Sequence, residues 1–283
     1  MNKKSTYRAI SLVSLLVMAV AILCIVYTLY LYQKANREYL QLAQEARAAA
    51  EAAAAAEQMD ETQEPETPEG QSQQPDEQQQ GYAVIPINFD YLTSLNEDII
   101  AWIEVQGTEV DYPVLYDTTT VRYYLSHNYS GAFSPFGSAF VLSDNAWDFN
   151  DFNTVVYGHN LPDGSMFASL HRFEDQEFFD KNKTIVVYTP ERMLCYQVFA
   201  AYRTDNLDQL KNFKYDTAED RQAYLDRIYT HDVKAIFDPD VEVTPDDRII
   251  TLSTCIGNPS YRYLVQGVLI SDMEGISAAA PVN

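Results

Sequence analysis

A cysteine, an arginine and a histidine stand at the ends of apolar runs of strand length in this chain. Arg248-Ile-Ile-Thr-Leu-Ser-Thr-Cys255 reads as a buried β-strand, with Ile249, Ile250 and Leu252 as its apolar body and Cys255 at its C-terminal end. Shortly after it, Arg262 opens a second apolar run, Tyr261 to Ile270. Upstream, Val155-Val156-Tyr157-Gly158-His159-Asn160 places a histidine just past another strand end. A thiol held at a strand end keeps a fixed position and still faces a cleft, which suits a nucleophile. The chemistry these three types perform together is acyl transfer: the thiolate attacks and a partner protonates the leaving amine. Histidine exchanges protons near neutrality. Arginine stays cationic and offers several donors to a carbonyl or oxyanion, and the backbone N–H of Ile256 is a second candidate donor.

Taken singly, each residue has a plainer reading. A lone cysteine is usually a small buried hydrophobe, which is the reading for Cys195 between Leu194 and Tyr196. A lone histidine is usually structural, and His127, His171 and His231 are read so. An arginine in so acidic a chain can simply pair with a carboxylate.

The elements that would position the three lie downstream of Tyr82. Phe89, Leu92 and Leu95 have helical spacing, and Ile99 to Val105 reads as a helical turn leading into a strand. Gly107 marks a hairpin turn, and Tyr112-Pro-Val-Leu115 a short strand compatible with a sheet edge. Short helices are expected at 121–125 and 174–180 and a helix start at 164–170, with strands at 138–142 and 153–157. Thr184–Thr189 and Met193–Tyr202 pair as a hairpin across Pro190-Glu191. Thr217 to Tyr229 reads as an amphipathic helix, and Ser271 to Asn283 as a loose tail. The sum is a mainly β, mostly antiparallel barrel or sandwich decorated by helices, over residues 82–272, with a tail at 273–283.

The N-terminal region is different in kind. Residues 1–8 carry Lys3, Lys4 and Arg8, and residues 9–33 contain no charge. At about 1.5 Å per residue, some 20 residues cross a bilayer, so this run is long enough to span. Tyr27, Tyr30 and Tyr32 cluster at its far end as an interfacial belt does, and the basic N-terminus favours N-inside. A single-pass signal anchor follows, with the rest of the chain extracellular. Residues 34–59 are Ala/Glu/Gln-rich and read as a solvated helical stalk. Residues 60–81 are an acidic Glu/Gln/Pro linker of disordered composition.

Composition bounds the partners. The net charge is −22, and from Gly81 onward there are 13 Lys and Arg against 30 Asp and Glu. Such a polyanion repels nucleic acid. Three cysteines form no disulfide framework, and no Cys/His spacing suggests zinc. No metal or cofactor is expected; the acidic surface permits calcium without arguing for it.

Thr251-Leu-Ser-Thr-Cys255, Tyr157-Gly-His-Asn160 and Arg262 resemble sortases, the membrane-anchored cysteine transpeptidases of Gram-positive bacteria. Asn96-Glu-Asp-Ile-Ile-Ala-Trp-Ile103, Asp111-Tyr-Pro-Val114 and His159-Asn-Leu-Pro-Asp-Gly-Ser-Met-Phe167 are similar to class B in particular. The resemblance extends from Ile87 to Ile270. It implies a closed eight-stranded barrel with N-terminal helices and a helix between the sixth and seventh strands. The implied reaction cleaves a C-terminal sorting signal after Thr, leaves a thioacyl enzyme on Cys255, and transfers the protein to a peptidoglycan-precursor or pilin amine. His159 would be the acid/base and Arg262 the stabiliser of the substrate carbonyl. Ser253, Ile256, Asn160 and Leu210 would contact substrate. Two other readings stand beside it: a surface cysteine protease that uses water, and a non-catalytic tethered binding domain.

Overall fold

The computed structural model describes residues 3–61, 82–119, 122–230, 235–258 and 260–277. His231, Val121 and most of the expected linker lie outside these residues. The chain divides into two units, Met1–Gln41 and Leu42–Asn283.

Helix α1, Lys3–Glu61, spans the division. In the first unit its apolar side chains, among them Leu12, Leu15, Leu16, Ile22, Leu23 and Leu29, are exposed. The most apolar window has a mean hydropathy of 2.8, long and apolar enough to cross a membrane.

In the second unit the helix is not solvated throughout, as a stalk would be. Leu42, Ala43 and Ala46 join a core cluster with Ile85, Ile87, Leu92, Trp102 and Leu115. The face repeats at 42, 46 and 50, one helical stripe made mostly of alanine, so the helix axis can approach closely. Arg47 fixes the contact by bridging Glu104 at 2.7 Å and Asp111 at 2.8 Å. Asn88 adds its backbone N–H to the Ala46 carbonyl and its side-chain amide to the Ala49 carbonyl.

The strands after the linker are β1 (Ala83–Ile85), β2 (Ile99–Val105), β3 (Asp111–Asp117), β4 (Ala139–Leu142), β5 (Asn153–Tyr157), β6 (Thr184–Tyr188), β7 (Arg192–Asp205), β8 (Ile236–Phe237), β9 (Ile249–Cys255) and β10 (Tyr261–Ser277). They pair in the order β1-β10-β9-β5-β4-β3-β2-β6-β7-β8, and β10 also pairs with β7. That last ladder runs from Tyr261↔Asp205 to Glu274↔Arg192 and closes eight strands into a barrel, with β1 and β8 appended outside the ring. Closure removes the open edges that an eight-stranded sheet would present. The expected closed barrel is therefore present.

The remaining helices are α2 (Phe89–Leu95), α3 (Gln176–Lys181) and α4 (Ala218–Ile228). Helix α4 lies between β7 and β9, which are the sixth and seventh strands of the ring, as the resemblance implied. It begins at Thr217, whose hydroxyl accepts the Asp220 N–H, and it buries Tyr224, Leu225 and Ile228 against Phe199, Tyr202 and Leu264.

Three local expectations differ. Ile99–Val105 is strand throughout, since its backbone pairs with β3 along one edge and with β6 along the other. Tyr112–Leu115 belongs to a central strand; pairing with β4 starts at Val114, one residue past Pro113, so the proline's missing N–H falls before that ladder. Residues 273–277 are not a loose tail but the end of β10, where Gly275, Ile276 and Ser277 pair with β1.

Candidate active site

The register of three adjacent strands brings the expected trio to one end of the barrel. Arg262 pairs directly with Cys255 across the antiparallel β9–β10 ladder. Directly opposed residues project from the same face, about 5 Å apart at Cβ. Strand β5 runs parallel to β9 on its other side, with Tyr157 opposite Ser253, and the Gly158 N–H continues this ladder onto the Ser253 carbonyl. His159 and Cys255 are each two residues beyond that last pair, so the pleat turns them to the same face.

The loop after β5 is built to hold His159. The Phe167 N–H returns to the His159 carbonyl at 2.8 Å, and Asn160 forms a bridge with Met166. Between them the Asp163 carboxylate accepts from the Ser165 N–H and hydroxyl, and Gly164 turns at φ +86°. Met166 itself has φ +55°, an uncommon conformation for a side-chain-bearing residue. Its N–H is held by the buried Tyr112 hydroxyl at 3.0 Å. Phe167 packs under Gly158, where an added Cβ would sit 2.6 Å from the ring.

His159 Nε2 lies 2.8 Å from the Leu125 carbonyl. A carbonyl only accepts, so Nε2 carries a proton in this bond, and the neutral ring has its lone pair on Nδ1. Nδ1 is therefore the ring atom left open to exchange a proton. Cys255, His159 and Arg262 are all half-buried, accessible yet held.

The four other expected residues divide. Ser253 is buried in β9, two residues behind Cys255 on the same face. Ile256 is half-exposed and lines a cleft of about 410 Å³ together with Asn160, His171, Glu174, Arg203 and Tyr263. Asn160 spends its amide on the protein itself, donating Nδ2 to the Cys255 carbonyl at 2.8 Å. Leu210 sits in the segment between β7 and α4, its N–H on the Asp208 carboxylate. Asp208 in turn pairs with Arg122 at 2.8 Å, whose guanidinium stacks 5.2 Å from the centre of the Tyr157 ring.

That same segment helps close a polar layer behind Cys255. Gln266 donates to the Tyr224 and Thr251 hydroxyls, Thr251 donates to Asn153, and Asn153 donates to Tyr215 and Tyr224. The Tyr224 hydroxyl donates to the Gln209 side-chain oxygen, and that of Tyr215 to the Gln209 backbone carbonyl. Each donor thus has an acceptor, which is what lets so many hydroxyls lie in the interior. Burial holds Tyr202, Tyr215 and Tyr224 in their neutral, donating form, with pKa values raised above that of free tyrosine.

His171 is a neighbour of Cys255 that sequence reasoning missed. Its Nε2 lies 3.1 Å from the Cys255 carbonyl and its Nδ1 2.9 Å from Glu174. Its spacing to Glu174 reads as an ordinary pair on one helical turn, and nothing local signals a contact with Cys255. His127, by contrast, stacks on Tyr123 with ring centres 3.6 Å apart and bonds that residue's own carbonyl.

Residues 103–270 match the family described as Sortase domain. The chain is 34% identical over 183 residues to Sortase B of Listeria monocytogenes, covering 64% of this chain and 73% of that protein. It is 35% identical over 167 residues to Sortase B of Staphylococcus aureus, covering 59% and 67%. Among solved structures, Clostridium perfringens sortase B superposes with a TM-score of 0.59 at 30% identity, over 65% of this chain and 100% of that one. A Staphylococcus aureus sortase B–substrate complex superposes with a TM-score of 0.62 at 28% identity, over 84% of this chain and 97% of that one.

Proposed function

The chain belongs to the sortase family, and we propose that Cys255, His159 and Arg262 carry its acyl transfer as nucleophile, acid/base and oxyanion stabiliser. It is a cysteine transpeptidase of the class B type. The observation that carries the assignment of roles is the register: Cys255 faces Arg262 across one ladder while His159 extends the neighbouring one.

The Cys255 thiolate attacks the carbonyl carbon of the threonine in a sorting signal and forms the C–S bond. The negative charge that develops on the oxygen is met by the Arg262 guanidinium and the Ile256 N–H. As the C–N bond breaks, imidazolium His159 gives its Nδ1 proton to the departing amine. A thioester remains on Cys255. An incoming primary amine then attacks the thioester, neutral His159 takes the proton it sheds, and the thiolate leaves with its electron pair.

The donor substrates are sorting-signal peptides of secreted surface proteins, and the acceptor is a peptidoglycan-precursor or pilin amine. Ser253, Leu210 and Ile256 border the substrate path. The apolar part of α1 anchors the enzyme as a single span, with Lys3, Lys4 and Arg8 on the cytoplasmic side and the barrel extracellular.

Full-length protein in detergent, given NPxTx- and LPxTG-type peptides, tests this reading. A thioacyl adduct on Cys255 seen by mass spectrometry is the expected result. Cys255→Ala should abolish cleavage, and Arg262→Lys should lower kcat by about a hundredfold, the scale of losing an oxyanion donor. Retained cleavage in Cys255→Ala would overturn it. Product analysis with and without an added amine separates transfer from hydrolysis by water.

A further inference from the structure

The carbonyl of the nucleophile's own residue is gripped from two sides. Asn160 Nδ2 donates to the Cys255 oxygen at 2.8 Å and His171 Nε2 lies 3.1 Å from the same oxygen. The two nitrogens are 3.1 Å apart, as donors sharing one oxygen are. Behind His171, Glu174 takes Nδ1 at 2.9 Å, and the ring stacks on Tyr263 with centres 4.8 Å apart.

The support is rigid. His171 and Glu174 belong to the 3₁₀ helix Phe167–Glu174, in which Phe167, Leu170 and Phe173 are fully buried. Tyr263 is itself buried on β10, opposite Thr254. The Cys255 carbonyl and Glu174 carboxylate oxygens only accept, so with both bonds made both ring nitrogens donate; in that form Nε2 cannot accept from Asn160 Nδ2, 3.1 Å away, and the two nitrogens share the Cys255 oxygen.

A trans peptide is planar, with its C=O and N–H pointing in opposite directions. Fixing the Cys255 oxygen therefore fixes the direction of the Ile256 N–H. Hydrogen bonds accepted by an amide oxygen also polarise the same amide's N–H, making it a stronger donor. We propose that His171, oriented by Glu174, is a positioning residue for acyl transfer that aims and polarises the Ile256 N–H toward the oxyanion through the Cys255 carbonyl. The proposal rests on the transpeptidase reading above. His171 touches neither the thiol nor the reacting carbonyl; it acts through the peptide between Cys255 and Ile256.

The test uses full-length protein and a sorting-signal peptide that the wild type cleaves. His171→Phe keeps a flat ring against Tyr263 and removes both donors, whereas His171→Gln returns an N–H near the Nε2 position. Three quantities are read for each: kcat and KM, the rate of Cys255 alkylation by iodoacetamide, and thermal stability. Alkylation forms a C–S bond without an oxyanion. His171→Phe should lose about ten- to hundredfold in kcat, with KM and the alkylation rate within about threefold of wild type. His171→Gln should recover most of the loss, and Glu174→Gln should lose less than His171→Phe. Unchanged kcat in His171→Phe overturns the proposal, as does a loss shared equally by alkylation. If His171→Phe does not fold, Glu174→Gln decides by the same split. Should the wild type form no thioester, the parent reading fails, and the alkylation data distinguish that outcome from a failure at His171.

Discussion

His159 Nε2 donates to the Leu125 carbonyl at 2.8 Å, and Gly137 is the residue that leaves room for this bond. A Cβ on Gly137 would lie 2.9 Å from His159 Cδ2, 2.7 Å from the Tyr124 carbonyl oxygen and 2.9 Å from that of Leu125. Backbone cannot yield as a flexible side chain would. Gly137 also has φ +60°, which disfavours any Cβ. Gly137→Ala should cost about 1–3 kcal/mol in stability. It should also lower kcat more than tenfold by turning the imidazole away from its carbonyl. Chemical denaturation and steady-state kinetics read the two effects separately, and wild-type kcat would show that the imidazole does not depend on this seat.

Residues 42–50 of α1 contribute to the catalytic unit's core, so where the chain is cut matters. A protein beginning at Tyr82 uncovers Leu92, Trp102 and Leu115 on the side that Leu42 and Ala46 cover. It also leaves Glu104 and Asp111 side by side without Arg47. Burial of one leucine is worth about 1.5–3 kcal/mol. The shorter protein should therefore melt several degrees below one that begins near residue 36 and retains the helix. Equal melting temperatures in calorimetry would mean that the helix adds nothing to the fold.

Buried tyrosines set an alkaline limit. Burial pushes both Tyr112 and Tyr188 up to about 12. Their unfolded value is near 10, so the native state favours the neutral phenol. This contribution is complete below about pH 10 and is lost as pH rises toward 12, because the unfolded chain ionises first. Stability measured by urea denaturation should hold steady through neutral pH and fall increasingly above pH 10. Tyr112→Phe should shallow that fall. It should also weaken the hold on Met166, since the hydroxyl that accepts the Met166 N–H is gone.

The site was readable in proportion to how locally it is encoded. Cys255, His159 and Arg262 each stand beside an apolar strand-length run, and the motifs around them are contiguous, so all three can be singled out as candidates from the sequence. His171 escaped because its partners are the Cys255 carbonyl and the Tyr263 ring, both distant in sequence, and a backbone carbonyl leaves no trace in residue type. The same blindness affected Asn160, whose amide goes to that carbonyl. The stalk was misread for another reason: a stripe of alanines carries little hydrophobic contrast, although small residues are what a close helix contact requires. Pro113 suggested an edge where there is none. A proline's lost donor is tolerated at the point where a neighbouring ladder has yet to start, and only the register reveals that.

Strand β10 pairs with β9, β7 and β1 and carries Arg262. The same ladder that closes the ring thus carries the cation proposed for the oxyanion, and β10 is synthesised after the seven strands with which it forms that ring. Until it arrives, β9 and β7 each lack a neighbour and Cys255 stands without Arg262. With the roles proposed above, a nascent chain that still lacks β10 carries its thiol in a catalytically silent form. On that assignment competence arrives with the strand that closes the ring, so assembly itself times the onset of activity.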